Sequence, residues 1–171
     1  MKSRYRQAFV LLITAITVTL TGCSIFDKTD YDEYISPSNQ AENNLVTIVE
    51  AINKQDSSAI KQLLSSNLVS NHEDIDSRID EMIDFIDGEI ISYDDPFGSA
   101  CGGFEKKDTG AKIQCLLTDN GTEFYIAIKQ WYSYDEQPEQ VGVYNITVKN
   151  LSMLSSDPES TDAIFRLMEE S

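Results

Sequence analysis

Ile113-Gln114-Cys115-Leu116-Leu117-Thr118-Asp119-Asn120-Gly121-Thr122-Glu123-Phe124-Tyr125-Ile126-Ala127-Ile128 is the stretch that decides the fold class. Two runs rich in β-branched and aromatic residues flank Asn120-Gly121, the strongest short-range hairpin signal. A two-residue loop with both residues at positive φ sets the register: Leu117 faces Phe124, Cys115 faces Ile126 and Ile113 faces Ile128. A slip of one residue would turn every side chain to the other face, so the apolar pattern specifies this pairing.

The neighbouring strands read outward from that hairpin. Residues 141–149 place Tyr144, Ile146 and Val148 on one face and can pair back on 124–134 across the 135–139 loop. Residues 97–106 can pair with 112–118 around Asp108-Thr109-Gly110, and 89–94 form a further strand. Upstream the period changes from two to 3.6. Leu45, Ile48, Val49 and Ile52 lie at i, i+3, i+4, i+7, one face of a helix. Ala59, Ile60, Leu63 and Leu64 mark a second helix, capped by Asp56 or Ser57. Ile75, Ile79, Met82, Ile83 and Ile86 mark a third, with Asn71 and Asp74 at its start and Gly88 at its stop. The tail opens with Asp157-Pro158-Glu159 and continues with Ala163, Ile164, Leu167 and Met168, which predicts a C-terminal helix. Helices followed by an antiparallel meander is α+β, with the helices on one sheet face.

The N-terminus carries a different signal. Lys2, Arg4 and Arg6 precede an uncharged run over 8–22, which ends Leu20-Thr21-Gly22 before Cys23. Basic, apolar and small-residue segments in that order describe a secretory signal. Fifteen residues at 1.5 Å each cover only about 22 Å of a hydrocarbon core near 30 Å, too short for a transmembrane anchor. The Leu-Thr-Gly-Cys ending resembles the lipobox of bacterial lipoproteins. That resemblance implies a diacylglycerol thioether on Cys23 and cleavage before it. The expected organisation is a signal over 1–22, a lipidated cysteine and tether over 23–40, a domain over 41–154 and a C-terminal helix over 155–171. The expected location is the extracytoplasmic face of the cell membrane.

The chain has 13 basic and 29 acidic residues, a net charge of −16. Without 1–22, ten basic residues stand against 29 acidic ones, a charge of −19. Such a charge repels a nucleic-acid backbone and an anionic bilayer surface alike, so the lipid must hold the domain while the field holds it off. It would steer a cationic protein in. A plain solvated acidic surface is the alternative.

The order of elements from 41 to 150 resembles the nuclear-transport-factor-2-like superfold, in which a curved sheet wraps helices into a cone. The stretches Val49-Glu50-Ala51-Ile52-Asn53-Lys54-Gln55-Asp56, Ile83-Asp84-Phe85-Ile86-Asp87-Gly88 and Gly142-Val143-Tyr144-Asn145-Ile146 resemble a family of uncharacterised bacterial lipoproteins of that fold. The family has no assigned activity, so the resemblance implies fold and not chemistry.

The chemistry-bearing residues are few. If Asp108 centres a short loop, Cys101 and Cys115 are opposed. An extracytoplasmic compartment favours a disulfide there, worth about 3 kcal/mol for a loop near 15 residues; two free thiols are the alternative. His72, the single histidine, reads as a solvated residue at a helix start. One histidine and two cysteines do not make a zinc site, and no metal or cofactor is expected. Asp80, Asp84 and Asp87 read as a solvated helix face, with diffuse calcium binding as the alternative. The inner sheet face is apolar, with Gln130, Tyr132 and Tyr144 as its polar members near the open end: these are the ligand-pocket candidates. A general base needs a carboxylate or histidine within reach of a proton, and the strand pattern places none there. The expected function is a non-catalytic binding or interaction module, for a small apolar ligand or a cationic protein. The alternatives are a small isomerase- or cyclase-like enzyme, with Asp94 or Asp95 as base, and an acidic immunity or inhibitor protein.

Overall fold

The structure, a computed structural model, describes residues 36–102 and 106–168; the signal segment, Cys23 and tether residues 24–35 lie outside the described residues. Helix α1, Pro37–Asn53, starts four residues before the expected end of the tether. Ser36 caps it, its hydroxyl accepting from the Asn39 amide, and Pro37 occupies the first turn, where a missing N–H costs nothing. Ala41, Leu45, Ile48, Val49 and Ile52 form its buried face. Helix α2, Ser57–Leu63, is capped by Asp56, whose carboxylate accepts from the Ala59 amide at 3.0 Å. A short helix α3, Ser66–Asn71, capped by Ser65, was not legible as a separate element because only Leu68 is buried in it. Helix α4, Ile75–Phe85, buries Ile75, Ile79, Met82 and Ile83, and starts at Asp74 without a side-chain cap bond.

The strands are β1 Ile90–Tyr93, β2 Phe97–Gly102, β3 Lys106–Thr118, β4 Glu123–Tyr134, β5 Gly142–Asn150 and β6 Ile164–Met168, with a short helix α5, Leu151–Ser156, after β5. They build one antiparallel sheet in the order β1-β3-β4-β5-β6, with β2 beside β3 as well. The α+β expectation holds: helices precede an open antiparallel sheet, and a helix follows β5. Ala163, Ile164, Leu167 and Met168 do not extend that helix. Residues 164–168 form edge strand β6, in which Phe165 and Leu167 point at the core and pair opposite Val148 and Ile146. Period two and period 3.6 are nearly indistinguishable over so short a run, and the free edge of β5 decided it. The expected boundary at 155 lies within α5, which connects β5 to β6 of the same sheet.

The hairpin exists, but its register differs from the expectation. Asp119, Asn120 and Gly121 make a three-residue loop: the Gly121 amide donates to the Thr118 carbonyl at 2.9 Å and the Thr118 amide to the Thr122 carbonyl at 3.0 Å. Gly121 takes φ +83° and Asn120 does not take a positive φ, so this is a type I turn followed by a left-handed glycine. Leu116 faces Phe124, Leu117 faces Glu123 and Ile113 faces Ile126. Between them Gln114 and Cys115 bulge outward together, so that Ile113 and Leu116 both point inward. Strand β5 repeats the device. Its pairing shifts between Lys129↔Asn145 and Gln130↔Val143, which buries Val143 and Ile146 and turns Tyr144 outward.

Strand β2 pairs Phe97 with Lys112 and Cys101 with Asp108. Asp108-Thr109-Gly110 is therefore not a turn but the interior of the 13-residue strand β3, paired throughout with β4. Long-range pairing outweighed the local turn composition. Cys101 and Cys115 are both free. Cys115 lies seven residues along β3 from the partner of Cys101, roughly 23 Å at 3.3 Å per residue, too far for the expected bridge.

Candidate functional site

The sheet has two faces of opposite character. The inner face packs Ala111, Ile113, Leu116, Phe124, Ile126, Ile128, Val143, Ile146, Val148 and Leu167 against the helices. Near its end, Gln130 is 1% exposed, accepting from Asn44 at 2.7 Å and donating to Gln40 at 3.3 Å. Thr109 is its cross-strand neighbour, and the Thr109 hydroxyl is buried without a hydrogen-bond partner. The three pocket residues expected from the sequence do not converge. Gln130 is spent on bonds to α1. Tyr132 lies beneath the Lys107 ammonium, 5.8 Å from its ring centre. Tyr144 stands on the outer face, stacked on Trp131 at 5.4 Å and donating its hydroxyl to Asp108 at 3.2 Å. The bulge in β5 separates it from the other two.

Among the described residues the buried polar side chains are Ser65, Thr109, Thr118 and Gln130, none of them ionisable near neutral pH. Asp94 and Asp95 are exposed between β1 and β2. His72 ends α3, 4.0 Å from the Asp74 carboxylate. Asp80, Asp84 and Asp87 are exposed; Asp80 accepts from Ser57, and Asp87 accepts from the Asn120 side chain at 2.9 Å, joining α4's end to the hairpin loop. Among the described residues no group of three or more His, Cys, Asp and Glu is placed to hold a metal ion. Burial, followed by the charges of Glu123 and Asp94, pushes the Cys115 thiol up, so it stays protonated and poorly nucleophilic.

The outer face carries a groove of about 560 Å³ across β2 to β6. Side-chain alternation explains its lining: while the odd positions of β3 point inward, Asp108, Gly110 and Lys112 point out, opposite Trp131, Lys129 and Ala127 of β4. One row runs Phe97, Lys112, Ala127, Thr147, Arg166, one residue from each of five strands. Lys129 lies one row to one side and Lys149, opposite Tyr125, one row to the other. Small Gly110 and Ala127 thus lie among four cations: Lys112, Lys129, Lys149 and Arg166. The Lys112 and Lys149 ammoniums stand over Phe97 and Tyr125, 5.7 and 5.3 Å from the ring centres. At one end Lys106 sits 4.0 Å from the Trp131 ring centre, beside the Tyr144–Asp108 hydrogen bond. Sequence reading missed this face because lysines alternating with small residues look like any solvated strand; only the register collects them.

Among the described residues no helix is long and apolar enough to cross a membrane. No curated protein matches the chain. A family described as a domain of unknown function, DUF5104, matches residues 47–153, from the middle of α1 through the first half of α5. The match takes in the helical layer, five of the strands and three of the four groove cations, leaving β6 and Arg166 beyond it. The chain therefore belongs to the DUF5104 family, and the groove is built largely on the family's own elements.

Proposed function

We propose that this chain is a membrane-anchored extracytoplasmic lipoprotein whose domain is a non-catalytic binding module. The observation that carries the binding reading is the contrast between the two sheet faces. The helix–sheet interior is filled by Phe124, Leu45, Ile48, Met82 and their neighbours, whereas the outer face holds an open groove with cations and aromatic rings on its rim. Ligand sites are concave, with a few convergent polar groups on an apolar wall. An enzyme of the isomerase or cyclase kind needs a proton-transfer group beside its substrate, and the buried polar residues of the interior offer amides and hydroxyls. The layering of α1 to α4 on a bulged antiparallel sheet supports kinship with the nuclear-transport-factor-2-like superfold.

The anchor reading rests on the basic start, the short apolar run and Leu20-Thr21-Gly22-Cys23. Fractionation of cells carrying Cys23→Ser tests it. The variant should lose its lipid label and leave the membrane fraction; equal retention and normal processing would overturn the anchor. A second reading, capture of a cationic protein, draws support from the exposed acids of α4, Asp76, Asp80, Glu81 and Asp84, on the helical side. Pull-down from envelope extracts at low and high salt tests it, since such capture weakens steeply as salt rises.

A further inference from the structure

We infer that the outer groove binds a small, soluble anion bearing more than one phosphate charge. The inference rests on the binding-module reading and names its ligand class. Four of the chain's 13 basic residues, Lys112, Lys129, Lys149 and Arg166, surround the Ala127–Thr147 pair. Diagonal neighbours on a sheet lie about 7–8 Å apart, so Lys112 with Lys129, and Lys149 with Arg166, are close enough to repel each other. The chain has 29 acidic residues available to neutralise them. Yet the ion pairs among the described residues involve Lys54, Lys61 and His72, all on the helical side, and none of the four. The one carboxylate lining the groove, Asp108, is a diagonal neighbour of Lys129 alone among the four, and it accepts the Tyr144 hydroxyl. Among the described residues the four cations repel one another without an ion pair, and of them only Lys112 and Lys149 gain a ring contact to offset this.

The cluster suits a phosphorylated guest. Arg166 offers a planar fork and the three lysines mobile ammoniums, the complement of a phosphate group with several acceptor oxygens. Small Gly110 and Ala127 leave room for phosphate to approach the sheet, and Phe97, 64% exposed, gives an organic body a wall to lie on. A volume of about 560 Å³ is that of a small-molecule site. A flat bilayer fits less well: the cations line a concavity, and the acidic remainder of the domain is repelled by anionic lipid.

Amide chemical-shift mapping tests this on the full chain in phosphatidylcholine nanodiscs, titrated with inorganic tripolyphosphate. Saturable shifts are expected at Ala127, Lys129, Thr147 and Lys149, fading as salt is raised. Replacing Lys129→Gln and Arg166→Gln together should weaken binding by about tenfold or more, the usual cost of losing charged hydrogen bonds. Lys129→Arg should keep it, which separates charge from packing, and unshifted amides in α1 and α4 report that each variant is folded. No saturable shift, shifts centred on Lys54 and Lys61, or unchanged affinity in the double variant would overturn the inference. Nanodiscs containing phosphatidylglycerol form a control arm: groove shifts with that lipid but not with tripolyphosphate would also overturn it, in favour of a lipid-facing surface. None of these outcomes touches the binding-module reading, which instead falls if a substrate is turned over in the helix–sheet interior.

Discussion

Leu116 and Leu117 are adjacent and chemically identical, and the bulge in β3 gives them opposite fates. Leu116 is fully buried, facing Phe124 on one side and Tyr93 on the other, whereas Leu117 is half-exposed beside Glu123 and Ser92. Leu116→Ala removes buried methyl groups from the centre of the core and leaves a cavity that the two neighbouring strands resist closing. Such truncations cost about 2–5 kcal/mol. Leu117→Ala removes the same atoms from a site that water already reaches, at about 1 kcal/mol or less. Equilibrium urea unfolding of the chain from residue 24 onward measures both. At a slope of about 2 kcal/mol/M, a 3 kcal/mol loss lowers the midpoint by about 1.5 M, and Leu117→Ala by about 0.5 M at most. If Leu117→Ala is the more damaging, strand β3 has no bulge at Gln114-Cys115. The straight Asn120-Gly121 register then applies, Cys115 turns inward and Lys112 comes to stand opposite Lys129 instead of Ala127.

Gly121→Val should cost about 1–3 kcal/mol by thermal or urea unfolding, from backbone strain alone, because φ is +83° and a Cβ there meets nothing within 4 Å. Gly121→Asn should recover most of that loss, and equal damage by both would refute the left-handed assignment. The Ser58 hydroxyl, then the Ala59 amide, hold the Asp56 carboxyl below its usual range. A lowered folded value means the cap contributes above the ordinary carboxylate range and is lost as pH falls through the depressed value. Asp56→Ala should therefore destabilise at neutral pH and flatten the acid limb of a melting-temperature profile; an unaltered acid limb would count against the cap. Both thiols should react with a thiol reagent in the unfolded chain without prior reductant. In the folded chain exposed Cys101 should react first and Cys115 slowly, and absence of titratable thiol would restore the disulfide.

The sequence by itself determined what local periodicity and chain order can carry. Leu45, Ile48, Val49 and Ile52 at helical spacing, Ile75 to Ile83 likewise, Asp56 before Ser57, and the alternation around Asn120-Gly121 put helices ahead of an antiparallel sheet, as observed. Each of those signals lives within one or two turns of chain. Register did not. A bulge inserts one residue at little local cost, so Gln114-Cys115 and Tyr144-Asn145 carry no mark, yet each reverses the faces of every residue beyond it. That reversal moved Tyr144 out of the expected pocket. Cys101 and Cys115 are apart for a separate reason: β2 pairs Cys101 with Asp108, so Asp108-Thr109-Gly110 is strand and not turn. The tail was ambiguous for a related reason: Ile164, Leu167 and Met168 fit a helical period while Phe165 and Leu167 fit a period of two, and the unpaired edge of β5 supplied the hydrogen bonds that made the segment a strand. The groove is the clearest case. Lys112, Lys129, Lys149 and Arg166 are separated by 17 to 20 residues in sequence, and only hydrogen bonding across four strands brings their charges to one place.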